Sequence, residues 1–186
     1  MTSRLYIFIS ILVGILGIVV IALTRPYVMS RINTFIHPSQ NIQGSGYQIE
    51  QSLIAIGSGG FYGRGFGQSI QKFNYLPEPI GDSVFAVAGE EFGFLGSAFI
   101  IFLFLFFTFR GLKIANNVND TFGRLVTVGI VIMIISQAFV NIGATVGVLP
   151  LSGITLPFIS HGGTALFVTL SEVGIVLNIS KNKKRS

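Results

Sequence analysis

Four apolar runs, separated by polar punctuation, dominate the chain. Tyr6 to Leu23 reads "YIFISILVGILGIVVIAL" without a charge. A second run, about Val84 to Phe109, ends "FIIFLFLFFTF", and a third covers about Leu125 to Thr145. A fourth, about Gly162 to Ile179, is interrupted by Glu172 and by several Gly and Thr residues. A bilayer core needs about 20 mostly apolar residues per helix, so each run is long enough to cross it. The pattern predicts an all-α fold, a polytopic membrane helical bundle. It is read as a single membrane domain over 1–186, with spans near 6–23, 84–109, 125–145 and 162–179. The first run reads as a retained helix, because it exceeds a typical signal-peptide core and "TRPYV" replaces a small-residue cleavage site.

The segments between the runs are unequal. Residues 24–83 are long for a connector, which favours a functional segment. Within it, "RPYVMSRINTFI" places Val28, Ile32, Phe35 and Ile36 on one helical face, with Arg25 and Arg31 away from it. That spacing predicts a helix lying on the membrane surface and ended by Pro38. Next, "GYQIEQSLIAIGSGGFYGRGFGQS" carries Gly57, Gly59, Gly60, Gly63, Gly65 and Gly67, which disfavour a stable helix and predict a compact turn. Tight packing or a re-entrant bend is the first reading of that turn. A phosphate-binding nest of backbone N–H groups around Arg64 is the second. In "KFNYLPEPIGDSVFAVAG", Pro77 and Pro79 predict extended chain, Gly81 a turn and Asp82 a helix N-cap. The stretch "TVGVLPLSGITLPFISHGGT" is uncharged and broken by Pro150 and Pro157. Residues 146–161 are therefore expected to fold back into the protein and to cap or line a cavity.

Composition sharpens the picture. Only 10% of the 186 residues are charged and 51% are apolar, whereas soluble domains carry about 25% charged residues. The chain has no cysteine, which excludes a disulfide framework and a thiolate metal site. The net charge of +5 is distributed by side. Arg4 precedes the first run, Arg110, Lys113 and Arg124 lie between the second and third, and Lys181, Lys183, Lys184 and Arg185 follow the fourth. The positive-inside rule puts both termini, the 110–124 loop and the tail 180–186 in the cytoplasm, and residues 24–83 and 146–161 outside. The basic tail reads as a topology anchor, with contact to membrane lipid headgroups secondary. Nucleic acid is excluded as a partner, since no basic patch is interleaved with aromatics.

The acids carry the candidate chemistry. On a continuous helix from Asp82, Glu90 lies about 80° away and about 12 Å further along the axis, with Glu91 on the opposite side. Acids at such depth face the protein interior or a wet cavity. Structural and catalytic readings both stand for Glu90, Glu91 and Glu172. Asp82 differs, because it stands at the outer mouth, open to a membrane-anchored substrate and to water. Arg64 and Lys72 share its segment. Two cations and a carboxylate suit an anionic, lipid-linked substrate, the cations binding phosphate and the carboxylate taking a proton. His161 is a rival titratable group, although a lone histidine is more often structural.

The stretch "GYQIEQSLIAIGSGGFYGRGFGQSIQKFNYLPEPIGDSVFAVAGEEFGFLG", followed by "NIGATVGVLPLSGITLPFISHGGTAL", resembles the C-terminal half of the SEDS family. These are the shape, elongation, division and sporulation proteins, and "QKFNYLPE" is closer to their FtsW division branch than to RodA. The resemblance implies part of a ten-helix family fold in the inner membrane of a bacterium. It implies a glycosyltransferase that polymerises lipid II outside the membrane, with undecaprenyl-linked glycan, a class B penicillin-binding protein and other divisome proteins as partners. It makes Asp82 the catalytic carboxylate, activating the acceptor 4-hydroxyl while undecaprenyl pyrophosphate leaves. Around it the expected substrate-binding residues are Arg64, Lys72, Glu78, Ser160 and His161. A divalent cation, Mg or Mn, is implied by the family alone. Gly81 and Ser83 stand where the family usually has Thr and Phe around the acid. His161 replaces a Tyr, and Thr164-Ala165 replace a Ser pair. The family's N-terminal half is absent here, so activity is expected to need that half or an oligomer. Two rival readings remain: a flippase of lipid-linked precursors, which explains buried acids and broken helices, and a non-catalytic scaffold for the penicillin-binding protein.

Overall fold

The computed structural model describes residues 5, 6, 8, 9, 12–14, 16, 17, 24, 26–37 and 44–181, and of residue 74 the backbone. It divides into two units, Met1–Tyr47 and Gln48–Ser186. In the first, the described residues between 5 and 24 are helical and exposed. Much of the expected span 6–23, with Arg4, Arg25 and Pro38, lies outside the described residues. Helix α1 is described over Pro26–Ile36. Val28, Ile32 and Phe35 are half-buried and Thr34 is buried, but Ile36 is 60% exposed. Arg31 lies over the Tyr27 ring, 4.7 Å from its centroid.

The second unit holds most of α2 (Ser45–Gly59), then α3 (Gln71–Asn74), α4 (Val84–Asn116), α5 (Thr121–Thr145) and α6 (Gly163–Ser180). Among the described residues, α4, α5 and α6 are long and apolar enough to cross a membrane, and they stand where the last three apolar runs do. Hydroxyls inside them bond back one turn: Thr127 to the Gly123 carbonyl at 2.8 Å, Thr145 to Asn141 at 2.8 Å and Thr169 to Ala165 at 2.9 Å. Lipid offers such groups no alternative partner. Asp120 caps α5, accepting from Phe122 and Gly123 N–H at 3.3 and 2.8 Å. A core of Phe85, Phe104, Ile134, Ala138 and Leu156 joins α4, α5 and the segment after α5. A Cβ on Gly111 would meet a Val131 methyl at 2.4 Å, so α4 and α5 approach closely there.

The glycine turn expected over 57–67 starts only after α2, which runs on through Gly57 and Gly59. Ile49, Ser52, Ala55 and Gly59 form a buried stripe at helical spacing, and of the six glycines of the expected turn only Gly57 and Gly59 lie in the helix, at its C-terminal end. A Cβ on Gly59 would lie 2.0 Å from the Gly89 carbonyl oxygen. Gly59, and Gly63 against the Glu91 carbonyl, therefore serve a backbone-to-backbone contact with α4.

Nor is α4 continuous. At Gly93 it breaks, with φ 65° and ψ −161°. An unbroken helix would bond the N–H groups of Phe94 and Leu95 to the carbonyls of Glu90 and Glu91. Instead they donate to Gly60 and Phe61 at 2.9 and 3.3 Å, and the freed carbonyls accept from Arg64 and Gly65 N–H at 3.0 Å each. The loop 60–65 is spliced into the helix ladder, with every main-chain bond replaced. The phosphate nest is thereby overturned, since the N–H groups it needs are spent on α4. Gly63 N–H also donates, to the Gly59 carbonyl at 2.8 Å.

Candidate active site

The start of α4, the end of α5 and the start of α6 lie at one end of the second unit. Here "YLPEP" bends instead of running extended, and the turn expected at Gly81 is present. Glu78 adopts φ 48°, and its carbonyl accepts from Gly81 and Ser83 N–H at 3.0 and 3.4 Å. These bonds outweigh the bias that Pro79 places on the residue before it. Ser83, not Asp82, occupies the N-cap of α4, and no side chain bonds the helix start. The capping role expected for Asp82 is therefore wrong.

What Asp82 does instead is more specific. Its carboxylate is half-buried, and Oδ1 accepts from Gln48 Nε2 of α2 at 3.1 Å. The same amide donates to Ser83 Oγ at 2.9 Å, and Ser83 Oγ donates to the Pro77 carbonyl at 3.1 Å. The backbone is held still more tightly. The carbonyl of Ile80 accepts from His161 N–H at 2.8 Å, that of Gly81 from Ser160 Oγ at 2.6 Å, and that of Asp82 from Asn141 Nδ2 at 2.8 Å. Three successive carbonyls are thus tied to α5 and to the segment before α6. Asn141 also donates to Ile154 at 2.7 Å and Gln137 to Thr155 at 3.0 Å. Residues 151–156 therefore run back beside α5 for about 12 Å, two helical turns from its end.

The remaining candidates divide. Glu90 is 1% exposed and accepts from Ser69 Oγ at 2.6 Å and from Ile70 and Gln71 N–H at 3.0 and 3.2 Å. It satisfies the free N–H groups at the start of α3, with Arg64 Nε 3.6 Å away. Glu91 pairs with Lys72 at 2.5 Å. Arg64 and Lys72 are thus bound to these acids, and among the described residues neither forms an ion pair with Asp82. Glu78 and His161 are exposed and Ser160 is half-buried, all on the two loops that meet at Asp82. Glu172 lies elsewhere, in a cleft between α5 and α6. Gln48 and Asn141 were missed by the sequence reading.

These partners make Glu90 a structural acid. Glu90→Ala is expected to lower stability by about 2–3 kcal/mol, the scale of losing charge-assisted bonds in a buried site. A lower Tm in detergent, with undiminished activity per folded molecule, is the expected result. An unchanged Tm would move Glu90 from structure to chemistry.

A bundle of membrane-length helices with a tethered carboxylate at one mouth defines an integral membrane protein with a polar site at one end. Residues 1–185 match the model of the FtsW, RodA and SpoVE family, described as cell cycle protein, and the chain belongs to that family. It is 47% identical over 170 residues to stage V sporulation protein E of Bacillus subtilis (strain 168), covering 91% of this chain and 46% of that protein. It is 43% identical over 169 residues to the probable peptidoglycan glycosyltransferase FtsW of Geobacter sp. (strain M18), again covering 91% and 46%. A solved structure described as "Structural coordination of polymerization and crosslinking by a peptidoglycan synthase complex" aligns with a TM-score of 0.71 and 28% identity, over 99% of this chain and 50% of that one. The chain spans about half the length of the curated relatives it matches.

Proposed function

We propose that this chain carries the reactive carboxylate of a peptidoglycan glycosyltransferase, and that Asp82 is its general base toward lipid II. The observation that carries the reading is the tethering of Asp82. The carboxylate has no capping duty, meets one amide donor, and stands on a backbone fixed from two other segments, α5 and the chain before α6. A fixed base lowers the cost of orienting the proton transfer. Asp82 takes the proton of the acceptor 4-hydroxyl as that oxygen bonds to the donor's anomeric carbon. The bond from that carbon to the pyrophosphate oxygen breaks, and undecaprenyl pyrophosphate departs with the electron pair. Glu78, Ser160 and His161 border the same mouth and are the proposed substrate contacts.

No group of three or more His, Asp or Glu side chains that could hold a metal comes together among the described residues. The divalent ion implied by the resemblance therefore lacks a ligand set here, and no step is assigned to it. A class B penicillin-binding protein and other divisome proteins are the proposed partners, in line with the synthase complex that this fold matches. Arg110, Lys113, Arg124 and Lys181 cluster at the end opposite Asp82, which supports a cytoplasmic placement of that end and an outer placement of the site.

Glycan-strand synthesis from lipid II by the protein in its native membrane tests the reading. A flippase or a scaffold gives no strands of its own, and a flippase instead moves labelled lipid II between leaflets. Orientation is tested separately, since the chain has no cysteine. A cysteine replacing Tyr62, which is 80% exposed, should react with a membrane-impermeant maleimide in intact cells. One replacing Asn117, exposed in the opposite turn, should not. The reverse result places Asp82 in the cytoplasm and ends the proposal.

A further inference from the structure

Glu172 is an acid for which the proposed reaction has no use. It lies ten residues into the 18-residue α6, about 14 Å from the helix start and so near the middle of a span. It is half-buried and lines a cleft of about 300 Å³ between α5 and α6 with Met133, Gln137, Thr164, Val168 and Thr169. Two of the polar neighbours are engaged elsewhere. The Thr169 hydroxyl bonds to Ala165 at 2.9 Å and the Gln137 amide nitrogen to Thr155 at 3.0 Å. Among the described residues the Glu172 carboxylate has neither a hydrogen bond nor an ion pair. An acid at this depth is costly unless paired.

Residues 1–186 place no cation at that depth. No Lys, Arg or His occurs within 6–23, 84–109, 125–145 or 162–179. A second copy has the same deficit. We infer that Glu172 is an interaction site within the membrane, taking a Lys or Arg from a transmembrane helix of different sequence that lies along the α5–α6 cleft. Val168, one turn before Glu172 and 50% exposed, faces the same opening. The cleft has room for one long basic side chain, and Gln137 and Thr164 flank its path.

A photoreactive benzoylphenylalanine replacing Val168, in the protein assembled in its native membrane, tests this. The expected adduct is to a membrane-helix peptide with a Lys or Arg within one turn of the crosslink. Glu172→Gln is expected to reduce the adduct roughly three- to tenfold, the range of measured interhelical polar contacts. Glu172→Lys should abolish it, and changing the partner's basic residue to Glu in that background should restore it. Restoration separates a direct pair from misfolding. An undiminished adduct with Glu172→Gln overturns the inference, because a neutral hydrogen bond then suffices. So does an adduct only to lipid, to a second copy of this chain or to a helix without a basic residue, and so does failure of the charge swap to restore it.

Discussion

Asp82→Asn is expected to cut glycan-strand synthesis from lipid II by about 10²–10⁴-fold, the usual contribution of a general base. The fold should survive. Asn keeps an oxygen that can accept from Gln48 Nε2, as Asp82 Oδ1 does at 3.1 Å. It also keeps the backbone carbonyl that Asn141 holds at 2.8 Å. What it loses is the ability to accept a proton at neutral pH. Asp82→Ala removes the Gln48 contact as well and should be no more active. The pair separates chemistry from scaffolding, since neither residue caps a helix here. An Asn variant that makes strands at the normal rate refutes the assignment of the base. A variant that is inactive only because its Tm has collapsed shows that the side chain holds the loop and not the proton.

The second large effect falls on backbone. Gly93→Ala is expected to cost about 3–5 kcal/mol, from a residue forced into a region populated almost only by glycine and from a direct clash. Its φ of 65° and ψ of −161° lie outside the range of other residues. A Cβ there would stand 2.3 Å from Gly63 N and 2.8 Å from Phe61 O. Both are main-chain atoms, so no side chain can move aside. Such a loss is a large part of the roughly 5–15 kcal/mol that holds a domain together. A melt in detergent that matches the parent protein would mean that the break in α4 is not required.

The membrane helices were the most legible part of the sequence. Long apolar runs have few other uses, and α4, α5 and α6 fall on them. The ends were less so: α4 extends to Asn116, beyond the last apolar residue of its run, because Arg110 and Lys113 are tolerated where a helix leaves the bilayer. Asp82 was visible as an acid at a helix start, but its surroundings were not. Gln48 and Asn141 reach it across 34 and 59 residues of chain. A lone amide in a helix gives no sign of its partner. Asn141, a polar residue within an apolar run, was the available clue. The break at Gly93 was illegible for another reason. A single glycine in a membrane helix is common, and this one matters only because a loop thirty residues earlier replaces the missing bonds.

The splice itself is made by main-chain atoms, while Arg64 Nε also stands 3.6 Å from Glu90 Oε1 and the Phe61 ring stacks on Phe94. Arg64 and Gly65 offer N–H groups and Gly60 and Phe61 offer carbonyls, whatever their side chains are. The Tyr62 side chain, 80% exposed, is free to be exchanged for other purposes. The number of residues between 60 and 65 is not, because adding or deleting one would throw all four bonds out of register at once.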